Sequence, residues 1–201
     1  QAMTIKTIVG VLAASSLLTL SACTNTVQYG EATRVETTKI DVSSNELVTI
    51  AEKMTRKMLT YPTVEEALKK KRPKLAISPL INQTSDSVNV SLIEDSIAKH
   101  LGQSGKFSFS DKTKTAAAQS AVTKDQLFAS IDINIAKEIA STLNADYLLY
   151  GSLKNIIRTK ATSKEVYYSF DLHMLNTKTG KLVWQDSEEI LKSRKKAIFG
   201  I

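Results

Sequence analysis

Apolar positions recur along this chain in two periods, and the changes of period mark its elements. Ser43-x-x-Glu46 has capping-box spacing, and Leu47, Ile50, Ala51, Met54 and Met58 follow at three- and four-residue intervals until Tyr61-Pro62. This spacing predicts an amphipathic helix over about residues 45–60. A shorter helical piece is expected over 64–70, where Lys69-Lys70-Lys71-Arg72 places cations at the helix C-terminus. That basic run reads either as a solvated helix end or as an anion-binding patch. The apolar run from Leu75 to Ile81 is expected to be a strand, with Pro79 marking an edge or an end. Asn82 to Asp86 supplies turn residues. Ser91-x-x-Glu94 repeats the capping-box spacing ahead of Ile93, Ile97 and Leu101, a third helix that Gly102 and Gly105 can close.

Lys106 to Ser110 alternates and predicts a short strand. Residues 111–126 are rich in Ala, Lys and Thr and show no clear apolar face, whereas Ile131, Ile135, Ile139 and Leu143 mark a packed helix. The period then drops to two. One strand is expected from Tyr147 to about Ile157, a polar connection over 158–164, and a second strand in which Val166, Tyr168, Phe170, Leu172 and Met174 alternate with more polar neighbours. Thr177 to Gly180 reads as a turn before a last strand opening at Leu182-Val183-Trp184. Such alternation gives a sheet with one face on helices and one wetter face. The expected fold class is α/β, with helices packed on a mixed sheet that ends in an antiparallel meander.

The N-terminal region follows a different logic. Met3, Lys6 and the apolar run from Ile8 to Leu20 form the layout of a secretory signal peptide, too short for the roughly 20 apolar residues of a spanning helix. The run closes on Leu20-Ser21-Ala22-Cys23, which matches the bacterial lipobox, and Cys23 is the only cysteine in the chain. Three segments are therefore expected: a lipoprotein signal peptide over 1–22, a lipidated Cys23 with a short flexible tether over 23–43, and a globular domain over 44–201. Acyl chains on Cys23 would exceed the single chain that gives only reversible membrane binding. Thr24 after the cysteine implies sorting to the outer membrane, with the domain on its periplasmic face. A tether of about 20 residues spans roughly 25 Å as a coil. With no second cysteine, no intramolecular disulfide supports the fold in that oxidising compartment.

Composition narrows the chemistry. The 201 residues carry a net charge of +7, which falls to +6 once Lys6 leaves with the signal peptide. A modest positive excess suits an anionic lipid surface, peptidoglycan carboxylates or an acidic protein patch without selecting among them. Only His100 and His173 offer bases near neutral pH. His100 sits on the third helix, and His173 shares a strand face with Tyr167, Ser169 and Asp171 as ordinary polar neighbours. The sequence has no nucleophile elbow, Walker loop, HExxH or dinucleotide glycine pattern, and no histidine-cysteine spacing that closes a zinc site. No enzyme, cofactor or metal is expected, and no nucleic-acid partner.

The ordered pieces Asn82-Gln83-Thr84, Ser104-Gly105-Lys106-Phe107, Ala145 to Gly151 and Thr179-Gly180-Lys181-Leu182-Val183-Trp184 resemble the LpoB family, outer-membrane lipoprotein activators of class A penicillin-binding proteins. The resemblance runs over about residues 45–196. It implies a fold like the N-terminal domain of TolB, and a protein that binds and activates an inner-membrane peptidoglycan synthase rather than making bonds itself. A structural lipoprotein of an envelope assembly, flagellar or secretory, is the alternative. Exposure singles out two loops as protein-binding candidates: Arg158, Lys160 and Lys164 in the polar connection, and Lys178, Thr179, Gly180 and Lys181 in the turn.

Overall fold

The computed structural model describes residues 26–29, 33–36, 41–124, 130–161 and 163–195. The capping box predicted at Ser43 is present: Glu46 N donates to Ser43 Oγ at 3.2 Å, and Ser43 N donates to Glu46 Oε2 at 2.6 Å. It opens α1 (Ser44–Leu59), whose Leu47, Ala51, Met54 and Met58 are fully buried. Pro62 then opens α2 (Pro62–Lys70), its fixed φ suiting the first helical turn.

The predicted strand at 75–81 divides around Pro79. Strand β3 (Lys74–Ile77) and the two-residue β4 (Ile81–Asn82) both pair in parallel with β6 (Tyr147–Thr159). The next helix, α3 (Val90–Gln103), starts two residues earlier than a cap at Ser91 predicts. Its cap is Asn89, which accepts from Leu92 N, and Glu94 is buried instead of capping. There its carboxylate takes the Leu80 N–H at 2.9 Å and lies 3.7 Å from the Lys112 ammonium, tying α3 to the β3–β4 junction and to α4 (Lys112–Thr123).

Helix α4 occupies the stretch in which no apolar face was visible. Its buried positions are Thr115 and Gln119, and the Gln119 amide oxygen accepts the buried Ser78 hydroxyl at the end of β3. A helix that docks through polar groups leaves little hydrophobic periodicity to read. Strand β5 (Ser108–Phe109) and helix α5 (Ile133–Ser141) follow the sequence pattern.

The C-terminal strands are longer than expected. β6 reaches Thr159 and β7 (Ser163–Asn176) begins at Ser163, so most of the predicted connection over 158–164 is itself paired strand, with Arg158 opposite Glu165 and Thr159 opposite Lys164. β8 (Leu182–Lys195) completes the meander. A further difference lies near the N-terminus. The stretch read as a short flexible tether contains β1 (Thr26–Tyr29) and β2 (Thr33–Glu36), an antiparallel pair added to the outer edge of β8. At four residues each they sit at the lower limit over which alternation can be read, which is why periodicity does not reveal them. Cys23 lies outside the described residues.

The result is one mixed sheet in the order β2-β1-β8-β7-β6-β3-β5, with β4 also on β6 and helices on both faces. One core packs α1, α2 and α3 against Leu75, Leu149, Leu153, Tyr168, Phe170 and Leu172. The other packs α5 and the Ala118 side of α4 against Ala76, Leu148, Tyr150 and Leu175. Gly151 sits where the meander is tightest. A Cβ there would lie 2.3 Å from the Asp171 carbonyl oxygen and 2.7 Å from Leu172 Cδ2.

Candidate functional site

Along β6 the chain passes from Leu148–Leu153, buried throughout, to Lys154–Thr159, almost all exposed. The helices therefore cover the root of the meander and leave its tip projecting. On the face opposite α1, residues from the three strands line up across the tip. Ile156 is the register partner of Tyr167, and Tyr167 of Leu191, giving an apolar row three strands wide. Ile156 is 63% exposed and Ile157, on the other face, 48%. The row floors an open concavity of about 660 Å³ whose margins include Lys154, Arg158, Ser169 and Glu189.

The polar rim of this face is organised by local pairing. The Arg158 guanidinium lies 5.0 Å from the Tyr167 ring centroid, a cation–π contact that presents both groups together. Tyr167 Oη donates to Glu165 at 3.2 Å, and the same glutamate lies 3.5 Å from the Lys160 ammonium. On this face Lys154, Arg158 and Lys160 stand beside Glu165 and Glu189, while Lys164 and Arg194, register partners of each other, share the opposite face with Val166. An aromatic and an arginine beside exposed aliphatic side chains is the composition that anchors protein interfaces.

The same face nearer the root carries Ser169, Asp171 and His173, the residue types of a catalytic triad. Asp171 Oδ1 collects the hydroxyls of Ser169 at 2.9 Å and Ser187 at 2.5 Å. His173 is stacked on Tyr150, ring centroids 5.0 Å apart, and its buried Nδ1 has no hydrogen-bond partner. Burial holds its pKa below the usual histidine value, against the pull of Asp171, while burial raises that of the Tyr150 hydroxyl to about 12. Serine thus bonds to the carboxylate rather than to a base, and no acceptor orients the imidazole through Nδ1, the reverse of a working triad. His100 is half-exposed on α3.

The second predicted loop lies at the opposite end of β7. Across its 14 residues the strand separates the β6–β7 hairpin from the Lys178–Lys181 turn by about 45 Å. Asn176 Oδ1 accepts from both Lys178 N and Thr179 N, and Gly180 adopts φ 64°, which its missing side chain permits. Asp146 is the hub of this end. Its carboxylate accepts the Lys74 N–H at 2.9 Å, pairs with Lys71 at 2.9 Å and lies 3.8 Å from Lys178; the first two hydrogen bonds hold its pKa below the ordinary carboxylate range. Within the basic run, Lys71 is committed to that pair and Arg72 donates to the Phe107 carbonyl at 2.8 Å. The structure therefore does not bring the two predicted loops together. Sequence reasoning named Arg158, Lys160 and Lys164, which the structure places at the meander tip, and did not name Ile156, Tyr167 and Leu191, whose alignment exists only through strand register. The one available signal was Ile156-Ile157, two apolar residues at the end of a strand otherwise turning polar.

Among the described residues no group of three or more metal-ligating side chains is present, and no helix is long and apolar enough to cross a membrane. The architecture is a mixed sheet between helices that ends in a projecting face with an apolar row. The family model described as "Peptidoglycan-synthase activator LpoB" matches residues 46–190, and the chain belongs to the LpoB family. Among solved structures it is similar to the LpoB C-terminal domain from Escherichia coli, at 17% identity over 72% of this chain and 97% of that one, with a TM-score of 0.46. The NMR structure of E. coli LpoB matches at 15% identity over 96% of this chain and 84% of that one, with a TM-score of 0.48. Lipoprotein GNA1162 from Neisseria meningitidis matches at 15% identity over 60% and 83%, with a TM-score of 0.40. No match was found among curated protein sequences.

Proposed function

We propose that this protein is a lipid-anchored activator of a class A penicillin-binding protein, held by Cys23 on the periplasmic face of the outer membrane and acting by binding, without catalysis of its own. The observation that carries the reading is the family match over residues 46–190, whose description names a peptidoglycan-synthase activator. The sequence pattern at Cys23 supports the anchor.

The meander tip supplies the docking face. Ile156, Tyr167 and Leu191 fill an apolar hollow on the partner, Arg158 and Lys160 meet acidic groups around it, and Lys164 adds charge from the other face of the same hairpin. Lys178, Thr179, Gly180 and Lys181 form the alternative docking end, and the length of β7 makes the two ends separable by mutation. Activation follows if the synthase conformation that polymerises faster binds this face more tightly than the resting one. A tenfold rise in the active population needs a difference of about 1.4 kcal/mol between the two.

The test adds the chain from Cys23 onward to purified class A penicillin-binding proteins of the same organism, following binding and synthesis on lipid II together. Saturable binding with a faster synthetic rate is expected. Folded protein that binds none of them overturns the activator reading and favours a structural role in an envelope assembly.

A further inference from the structure

The edge strand of the meander is partly covered, and by a segment from the wrong side of the domain boundary. β1 pairs with β8 only at three positions, Val27 with Lys192, Gln28 with Leu191 and Tyr29 with Ile190, although β8 is 14 residues long. β2 pairs with β1 alone and forms the outer edge of the sheet. The two strands therefore hang on the domain through one short ladder. Isolated two-stranded hairpins are marginal in water, so this attachment sits at the low end of local stability.

The attachment point is nevertheless specific. Lys192, register partner of Val27, is 2% exposed, and its ammonium is held by the Asp41 carbonyl and by Glu46 Oε2 at 2.9 Å. Asp41 is where the chain enters the domain, and Glu46 is the same carboxylate that caps α1. The lysine thus fixes the domain's entry point beside the strand on which β1 lies, so the segment between has both its ends at one edge of the sheet.

We propose that the β1–β2 hairpin is a detachable strap that sets how far the domain stands from its membrane anchor. The proposal rests on the reading of Cys23 as the point of attachment. With β1 docked, only the chain from Cys23 to Thr26 separates the anchor from the sheet, a reach of about 10 Å. With the hairpin released, the chain from Cys23 to Val42 is free to extend to about 65 Å and averages roughly 25 Å as a coil. The docked form keeps the domain against the anchoring surface, and the released form lets it stand off toward a distant partner.

Two measurements on the chain from Cys23 onward test this. Amide hydrogen exchange should show residues 26–29 and 33–36 slowed at least tenfold relative to a free peptide of the same sequence. Gln28→Pro, which places a residue without an N–H or the required freedom in the ladder, should return them to peptide rates while leaving α1 and β6–β8 protected. For reach, the Cys23 thiol is coupled to maleimide lipid in a supported bilayer, so that attachment does not depend on natural lipidation. Neutron reflectometry should place the wild-type domain close to the bilayer and the Gln28→Pro domain farther out by on the order of 15 Å. Peptide-like exchange in the wild type, or equal stand-off for the two chains, would overturn the strap. Failure of Cys23 to acquire lipid in cells would instead remove the anchor reading and leave both results interpretable.

Discussion

The root and the tip of the β6–β8 meander are built from the same three strands, yet they answer to different constraints. At the root, Leu148–Leu153 have helices on both faces and every side chain is buried. Toward the tip, β7 keeps every second residue buried only as far as Val166, while β6 exposes Ile156 and Ile157. Ile156 and Ile157 add little to folding where they stand, so the tip can be altered without touching a core. The comparison teaches that stability lives at the root, and the proposed recognition at the tip should be separable from it by mutation.

The largest expected effect is at the root. Gly151→Ala forces a methyl into the Asp171 carbonyl and should cost about 3 kcal/mol, read as a lower midpoint in denaturant unfolding. Asp146→Ala comes next at about 2 kcal/mol, because it strands the Lys74 N–H and breaks the links from β3 to the turn after β7. Since the folded pKa of Asp146 is lowered, its contribution is complete above about pH 4, the unfolded value, and is lost as pH falls through the folded one.

A smaller effect belongs to His173. Its folded pKa is depressed, so below about pH 6.5 the unfolded chain takes up a proton that the folded protein resists. Stability should decline as pH drops from 6.5 toward 5, and His173→Gln should flatten that decline in thermal melts at a series of pH values. The smallest effect on stability is expected at the tip. Ile156→Asp with Arg158→Glu should change the unfolding free energy by no more than about 0.5 kcal/mol, because neither side chain belongs to a core.

Where apolar spacing decides structure, the sequence was enough. The α1 face from Leu47 to Met58, the α3 face from Ile93 to Leu101 and the β7 alternation from Val166 to Met174 were all readable, and with them the α/β class. Three features escaped because other forces set them. Helix α4 docks through Thr115 and Gln119, β1 and β2 are held by backbone pairing to an edge, and Asn89 displaced Ser91 as a cap once Glu94 had a buried role. The proposed docking face was only partly visible in the sequence for a related reason. Exposure pointed to Arg158, Lys160 and Lys164, but the Ile156–Tyr167–Leu191 row depends on which residues three separate strands place opposite one another.

The most direct measurement titrates three proteins into the class A synthase while recording affinity and the rate of synthesis on lipid II. They are the wild type, the tip variant Ile156→Asp with Arg158→Glu, and the turn variant Lys178→Glu with Lys181→Glu. The account predicts that the tip variant melts like the wild type yet binds at least tenfold more weakly and fails to stimulate, whereas the turn variant does both normally. A tip variant that binds and stimulates like the wild type, or a turn variant that alone loses both, would contradict it.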